Sequence, residues 1–141
     1  MSMGAEMPLT PVVRDDHSAP FFDAAAQGRL LLRYSPGSGA WSEPAALVCS
    51  ATGAADLQWR QAKGEGELVS WTVVPGRAKD GEPAADAVVG VVEMAEGPWL
   101  TLRLVDADGS ELRAGLPVRV DFVRPEGGEA VPVGLLAARR D

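Results

Sequence analysis

The 141-residue sequence contains one cysteine, Cys49, one histidine, His17, and one tyrosine, Tyr34. A single cysteine excludes an intramolecular disulfide and matches the usage of a reducing compartment. His17 stands in Asp15-Asp16-His17 with no second ligand spacing anywhere, so the tripeptide reads as the solvated cap region ahead of a helix rather than as a metal site. Basic residues are also scarce: 13 Lys/Arg against 20 Asp/Glu give a formal charge of −7, and from Gly64 onward the count is 8 against 14. Binding nucleic-acid phosphates needs a basic face, so the charge count argues against that class. No apolar run approaches the roughly 18 residues of a membrane helix. The start MSMGAEMPLTPVV lacks a positive region and a long apolar stretch, so the expectation is a cytoplasmic protein without a membrane segment.

Catalytic signatures are missing as well. There is no Ser/His/Asp set, and neither Gly109-Ser110 nor Gly64-Glu65-Gly66 fits a phosphate-loop motif in spacing or context. The pairs Glu65/Glu67 and Asp106/Asp108 fall at strand ends and turns, where solvated charge is the ordinary explanation. Independent catalysis is not expected.

What is abundant is turn and strand chemistry. Sixteen Gly and eleven Pro, with 46% hydrophobic residues, favour a turn-rich, mainly β chain. The length suits one compact domain with an appendage and is enough to bury roughly two-thirds of the unfolded surface. The longest strand-forming run is 64–74. Val69, Trp71 and Val73 alternate with Ser70 and Thr72, which predicts a central strand burying that face. Ala87 to Met94 is nearly all apolar, with Gly90 free to bend. Trp99 to Val105 alternates with Leu100, Leu102 and Leu104 inward. Val118 to Phe122 and Val131 to Leu136 complete five strands, with one helical turn at most over 110–114. The polar loop from Pro75 to Pro83 is too long for a tight hairpin.

The amino-terminal half reads differently. Residues 1–17 show no periodicity and are taken as an arm. Ser18 to Gly28 predicts a short helix with Ser18 as N-cap, Pro20 in the first turn and Gly28 at C′. Its stripe of Phe21, Phe22 and Ala25 packs on the chain's own sheet or docks on another subunit. Strands are expected over 29–34 and 57–60, with turns at 35–39 and 49–53. Two knuckles about fifteen residues apart have the layout of a zinc ribbon without its ligands.

The run APFFDAAAQGRLLLRYSPGSG…CSATGAADLQW…GEGELVSWTVV…VVGVVEMAEGPWLTLRLV…LRAGLPVRVDF, spanning about 18–138, resembles the DUF35 family. The resemblance implies a helix and rubredoxin-like zinc ribbon over 18–63, followed by an OB-fold barrel over 64–141. The family's C-x-x-C-G and C-P-x-C-G ligands fall on Tyr34, Gly37, Cys49 and Thr52. Only Cys49 can ligate, so no zinc is expected. Apolar packing must then hold the lobe, with Leu30, Leu32, Tyr34, Trp41, Leu47, Val48, Leu57 and Trp59 as candidates. Cys49 is read as a small buried hydrophobe, since no basic partner stands near it in sequence.

Functionally, the resemblance implies a non-catalytic accessory subunit in lipid or polyketide metabolism. Its partner would be a thiolase-like or MaoC-like acyl-CoA enzyme, with acyl-CoA as substrate of the complex. Phe21, Phe22, Tyr34, Trp41 and Trp59 are the candidate partner interface. The alternative is a self-contained binder of small ligands or acyl thioesters, with a single-stranded nucleic-acid binder as the less favoured third reading, and a homodimer is left open.

Overall fold

The computed structural model describes residues 15–76, 86–107, 109–110 and 112–136. One helix, α1 (Ala19–Ala25), precedes eight strands: β1 (Leu31–Ser35), β2 (Ala40–Ser42), β3 (Gln58–Gln61), β4 (Glu65–Val74), β5 (Ala87–Met94), β6 (Trp99–Arg103), β7 (Pro117–Val123) and β8 (Val131–Leu135). The arm reading for 1–14 and the loop over 77–85 lie outside the described residues.

Local chemistry sets the ends of α1. Asp15 and Ser18 bond reciprocally: the Asp15 amide donates to Ser18 Oγ at 3.0 Å, and the Ser18 amide donates to Asp15 Oδ1 at 2.9 Å. Ser18 is the N-cap by position, but its hydroxyl caps no helix amide. It closes the preceding turn instead, a capping-box exchange that also holds the Asp15 carboxyl below its usual range. At the other end the Arg29 amide donates to Ala24 O and the Gly28 amide to Ala25 O, each at 2.9 Å. Gly28 adopts φ 77°, which completes a Schellman stop.

The first sheet has the order β2-β1-β3, antiparallel throughout. The second has the order β6-β5-β4-β7-β8, with β4 in the middle as the longest strand. Its two edges meet: Leu104 bridges Gly134 in parallel, and the Val105 amide donates to Gly134 O at 3.1 Å. Five strands closed by a parallel contact between the third and the last form the OB-type barrel.

One apolar cluster runs through both sheets. Phe21 and Phe22 (each 8% exposed), Leu30 and Leu32 pack with barrel residues including Leu68, Met94 and Leu136. Helix α1 lies against β1 and β8 and carries the core from one sheet to the other. Each such side chain contributes on the order of 1.5–3 kcal/mol when fully buried.

Several expectations need correction. In β4 the fully buried residue is Leu68 (1% exposed), whereas Trp71 and Val73 remain 37% and 38% exposed. A bulge moves the register from Leu68↔Val92 to Ser70↔Val91, and β7 pairs only with Glu65 to Glu67. The second half of β4 therefore has a ladder neighbour on one edge alone. Strict alternation read from sequence misses such a shift, because one extra residue changes which face each side chain takes. The bulge also falls opposite the Gly90 region rather than in β5. Gly90 instead leaves room in the core, since a Cβ there would lie 2.8 Å from Leu68 Cδ1.

The described residues around 110–114 form turns and no helix. That segment is tied to β4: the Gly115 amide donates to Leu68 O at 2.8 Å, and the Leu68 amide to Leu116 O at 2.9 Å. Leu47 and Val48 are 68% and 48% exposed and do not belong to the lobe's interior.

Gly66 marks the tightest approach in the barrel. A Cβ there would meet the backbone oxygen of Glu93 and would sit 2.9 Å from Val92 Cγ1. Gly66→Ala is expected to lower stability by about 1–3 kcal/mol, the usual range for overpacking, measured as a shift in the urea midpoint at unchanged slope.

Candidate functional site

The four positions that would carry ribbon ligands fall at two facing knuckles. After β1, the Gly39 amide donates to Ser35 O at 2.7 Å. Asp56, from the segment before β3, reaches into this turn. Ser35 Oγ donates to Asp56 Oδ1 at 2.8 Å, and the Gly37 amide donates to Asp56 Oδ2 at 3.0 Å. These donors, the Ser35 hydroxyl foremost, hold the Asp56 carboxyl below its usual range. A Cβ at Gly37 would lie 2.9 Å from Asp56 Oδ2, so the carboxylate fills the space beside a former ligand position.

The second knuckle closes through the Gly53 amide to Cys49 O and the Cys49 amide to Ala54 O, both at 2.8 Å. The Ser50 amide and hydroxyl both reach Ser42 Oγ, at 3.1 and 3.2 Å. One contact joins the knuckles: Cys49 Sγ lies 3.7 Å from Ser38 Oγ. Cys49 is 1% exposed, so its expected burial is borne out. Its surroundings are nevertheless polar. The Thr52 hydroxyl first, then that of Ser38, with the amides of Ala51 and Thr52, lower its pKa to about 7 against the opposing effect of burial. These partners are hydroxyls and amides, none of them a base. Among the described residues no group of three or more His, Cys, Asp or Glu is placed to hold a metal ion.

The five aromatic candidates separate into two groups. Phe21 contacts Phe22 edge-on at 5.1 Å and Trp59 at 6.2 Å, with the Arg33 guanidinium 4.3 Å over the Trp59 ring. Tyr34 packs on Trp41 at 5.2 Å, and Arg60 lies 4.2 Å over the Tyr34 ring. Strand alternation separates them: Arg33 pairs with Trp59 and Tyr34 with Trp41, and successive residues of β1 point to opposite faces. Phe21 and Phe22 are covered by the chain itself, while Tyr34, Trp41 and Trp59 are half-buried.

The surface that sequence reasoning missed lies in the β2–β3 connection. Arg33 is only 9% exposed, and burial lowers its pKa. Its Nε donates to Ala46 O at 3.3 Å, which pins the loop immediately before Leu47 and Val48. Those two apolar side chains therefore project from an anchored backbone. Pro44 and the absence of periodicity over 43–48 were the available signals that this stretch is loop.

On the barrel, Trp99 is 57% exposed and pairs across the ladder with Glu93, while Phe122 is half-buried. A single-strand platform needs cations beside its aromatics, and here a carboxylate takes that place. No helix among the described residues is long and apolar enough to cross a membrane.

Comparison with known proteins locates the likeness. Residues 59–123 match the family described as ChsH2, C-terminal OB-fold domain. The chain is 28% identical over 125 residues to a probable enoyl-CoA hydratase alpha subunit from Thermomonospora curvata, covering 87% of this chain and 38% of that protein. It is 25% identical over 77 residues to a DUF35 domain-containing scaffold protein from Pyrococcus furiosus, covering 55% of this chain and 57% of that protein. The chain thus spans between about two-fifths and three-fifths of the length of these curated relatives. Among solved structures it superposes on a chain of an Ltp2-ChsH2(DUF35) aldolase with TM-score 0.72 and 26% identity, covering 88% of this chain and 97% of that one. A DUF35 protein of unknown function from Sulfolobus solfataricus shares the fold at TM-score 0.54 and 9% identity, over 86% of this chain and 84% of that one.

The Cys49 pocket generates a pH prediction. A folded-state pKa near 7 lies below the usual thiol value, so the unfolded chain holds the proton over a range where the folded chain has released it. Stability from this group is present above the unfolded pKa and is lost as pH falls through about 7. The urea midpoint should therefore rise between pH 7 and about 9 in the wild type relative to Cys49→Ala, whose profile lacks that increment.

Proposed function

We propose, from its likeness to DUF35 proteins, that the chain is a non-catalytic accessory subunit of a thiolase-like acyl-CoA enzyme. The observation that carries this reading is the ribbon lobe, which offers an apolar Leu47–Val48 tip on an Arg33-anchored loop while holding no reactive group paired with a base. A preformed apolar projection binds without a large ordering cost, and hot spots favour such fixed anchors. The names of the similar proteins support the same direction, since they include a DUF35 domain-containing scaffold protein and a chain of an Ltp2-ChsH2(DUF35) aldolase. The nearby half-buried Tyr34, Trp41 and Trp59 would extend the contact. Phe21 and Phe22 would act from beneath, by supporting the lobe.

The acyl-CoA belongs to the enzyme partner in this reading. A barrel cleft lined by four glutamates would repel the phosphates of CoA, which weighs against the chain alone as an acyl-thioester binder. The ribbon carries no resident zinc in this proposal, and its knuckles are supported by Asp56 and the serine hydroxyls. Protein expressed with added zinc should contain far less than one equivalent by elemental analysis. One zinc per chain would overturn this part.

The partner reading is tested by affinity purification of the tagged chain from its source cells, followed by mass spectrometry and sizing of the complex. Recovery of a thiolase-fold enzyme near one-to-one is expected. A MaoC-like hydratase alone would replace the thiolase assignment, and recovery of the bait alone would contradict the accessory role. Leu47→Asp with Val48→Asp should weaken the isolated complex at least about tenfold, some 1.4 kcal/mol, without moving the unfolding midpoint of the free chain.

A further inference from the structure

The second half of β4 is open on both faces and on one edge. Ser70, Trp71, Thr72 and Val73 are all exposed, in contrast to the buried Leu68 that precedes them. The free edge follows from the ladder. The Met94 amide donates to Pro98 O and Val88 O accepts the Leu104 amide, so these residues of β5 bond toward β6. Ala87, Val89 and Val91 therefore bond toward β4, where their partners are Val74, Thr72 and Ser70. The N–H and C=O of Trp71 and Val73 then point the other way, to the edge that β7 and its lead-in follow only as far as Leu68. Among the described residues nothing takes these backbone groups.

Exposed edges are normally blunted by shortness, charge, proline or a bulge. The edge strand β2 is three residues long, and β3 carries Arg60. In β4 the bulge comes before the open stretch. Residues 68–74 hold no charged residue and no proline, in a chain of net charge −7. Strand-forming residues left bare in this way make a pairing surface.

The stretch is also complementary to itself. A two-fold axis at Thr72 sets it antiparallel to its own copy, with Trp71 opposite Val73 on both sides of the axis. These are the residues whose backbone faces the edge, so each pair exchanges both of its hydrogen bonds and no edge group of either copy is left over. The side chains agree with this register. An aromatic faces a β-branched residue in each outer pair, and Thr72 faces Thr72 at the axis, both favourable cross-strand combinations. The pairing brings no like charges opposite each other within 70–74, which is what an acidic chain requires of a contact with itself.

We propose that the open half of β4 pairs edge to edge with a second copy of this chain, in a two-fold dimer centred on Thr72. The contact is isologous and uses main-chain groups that the fold leaves unbonded. Its small extent places it in the weak class of interfaces, with dissociation on the order of 10–100 µM. It uses none of the residues assigned to the enzyme contact.

Sedimentation velocity of the free full chain over about 5–500 µM tests this, with the average mass expected to rise from 14.7 kDa toward twice that value. Thr72→Glu sets two carboxylates opposite each other at the axis and should keep the chain monomeric throughout. An equal mixture with Thr72→Lys should dimerise again. Cross-linking reads the register. Thr72→Cys falls on a non-hydrogen-bonded pair with Cα atoms about 4.5 Å apart, so mild oxidation should join two chains at position 72. Ser70→Cys lies on the same face but more than about 13 Å from its own copy, and should not cross-link. The native Cys49 is 1% exposed and does not compete. A monomeric wild type at the highest concentration would overturn the proposal, as would a dimer that survives Thr72→Glu or cross-links equally through Ser70→Cys. The partner enzyme is absent from these measurements, so their outcome stands apart from the accessory-subunit reading.

Discussion

The amino-terminal lobe depends on what the Asp56 carboxylate does at the first knuckle. In a zinc ribbon, four ligands fix two turns against each other, and the metal supplies the enthalpy. Here one side chain from outside both turns accepts a hydroxyl and an amide, and closes the Ser35–Gly39 turn from below. The second turn is closed by its own backbone and by Ser42, and the Ser38–Cys49 contact joins the two. Hydrogen bonds of this kind are directional but individually small in net effect, so they define geometry more than they supply stability. Stability comes from apolar burial, through Phe21, Phe22, Leu30 and Leu32, which place the lobe and the barrel in one core.

That division of labour bears on function. The lobe shares its core with the barrel, and its projecting loop is held by the buried Arg33. Preorganisation of this kind lowers the ordering cost of association. The barrel supplies a rigid base, and its acidic face separates it electrostatically from nucleic-acid-binding relatives of the same fold.

Much of the architecture was legible in the sequence because period and punctuation agree with the final elements. The apolar run 87–94 is β5, Gly28 ends the helix as a C′ glycine should, and Leu102 and Leu104 face inward as alternation demands. The misreadings trace to non-local causes. The bulge beside Val69 is set by pairing with β5, and the exposure of Trp71 and Val73 by the short reach of β7. The polar setting of Cys49 comes first from the nearby Thr52 but also from Ser38, eleven residues away, and Asp56 acts on a turn nineteen residues earlier. No window along the chain contains these contacts. Leu47 and Val48 were misplaced for another reason: hydrophobicity indicates burial only where a regular element or a cavity receives it.

We propose that the two knuckles hold their geometry through protein groups alone. Hydrogen exchange of the Gly37, Cys49 and Gly53 amides, in the free chain with and without a strong chelator, tests it most directly. Each of these amides donates within the knuckles. The account predicts protection in both conditions, equal within error, and its loss at Gly37 when Asp56 is replaced by Ala. Protection that disappears with chelator and returns on adding zinc would contradict it.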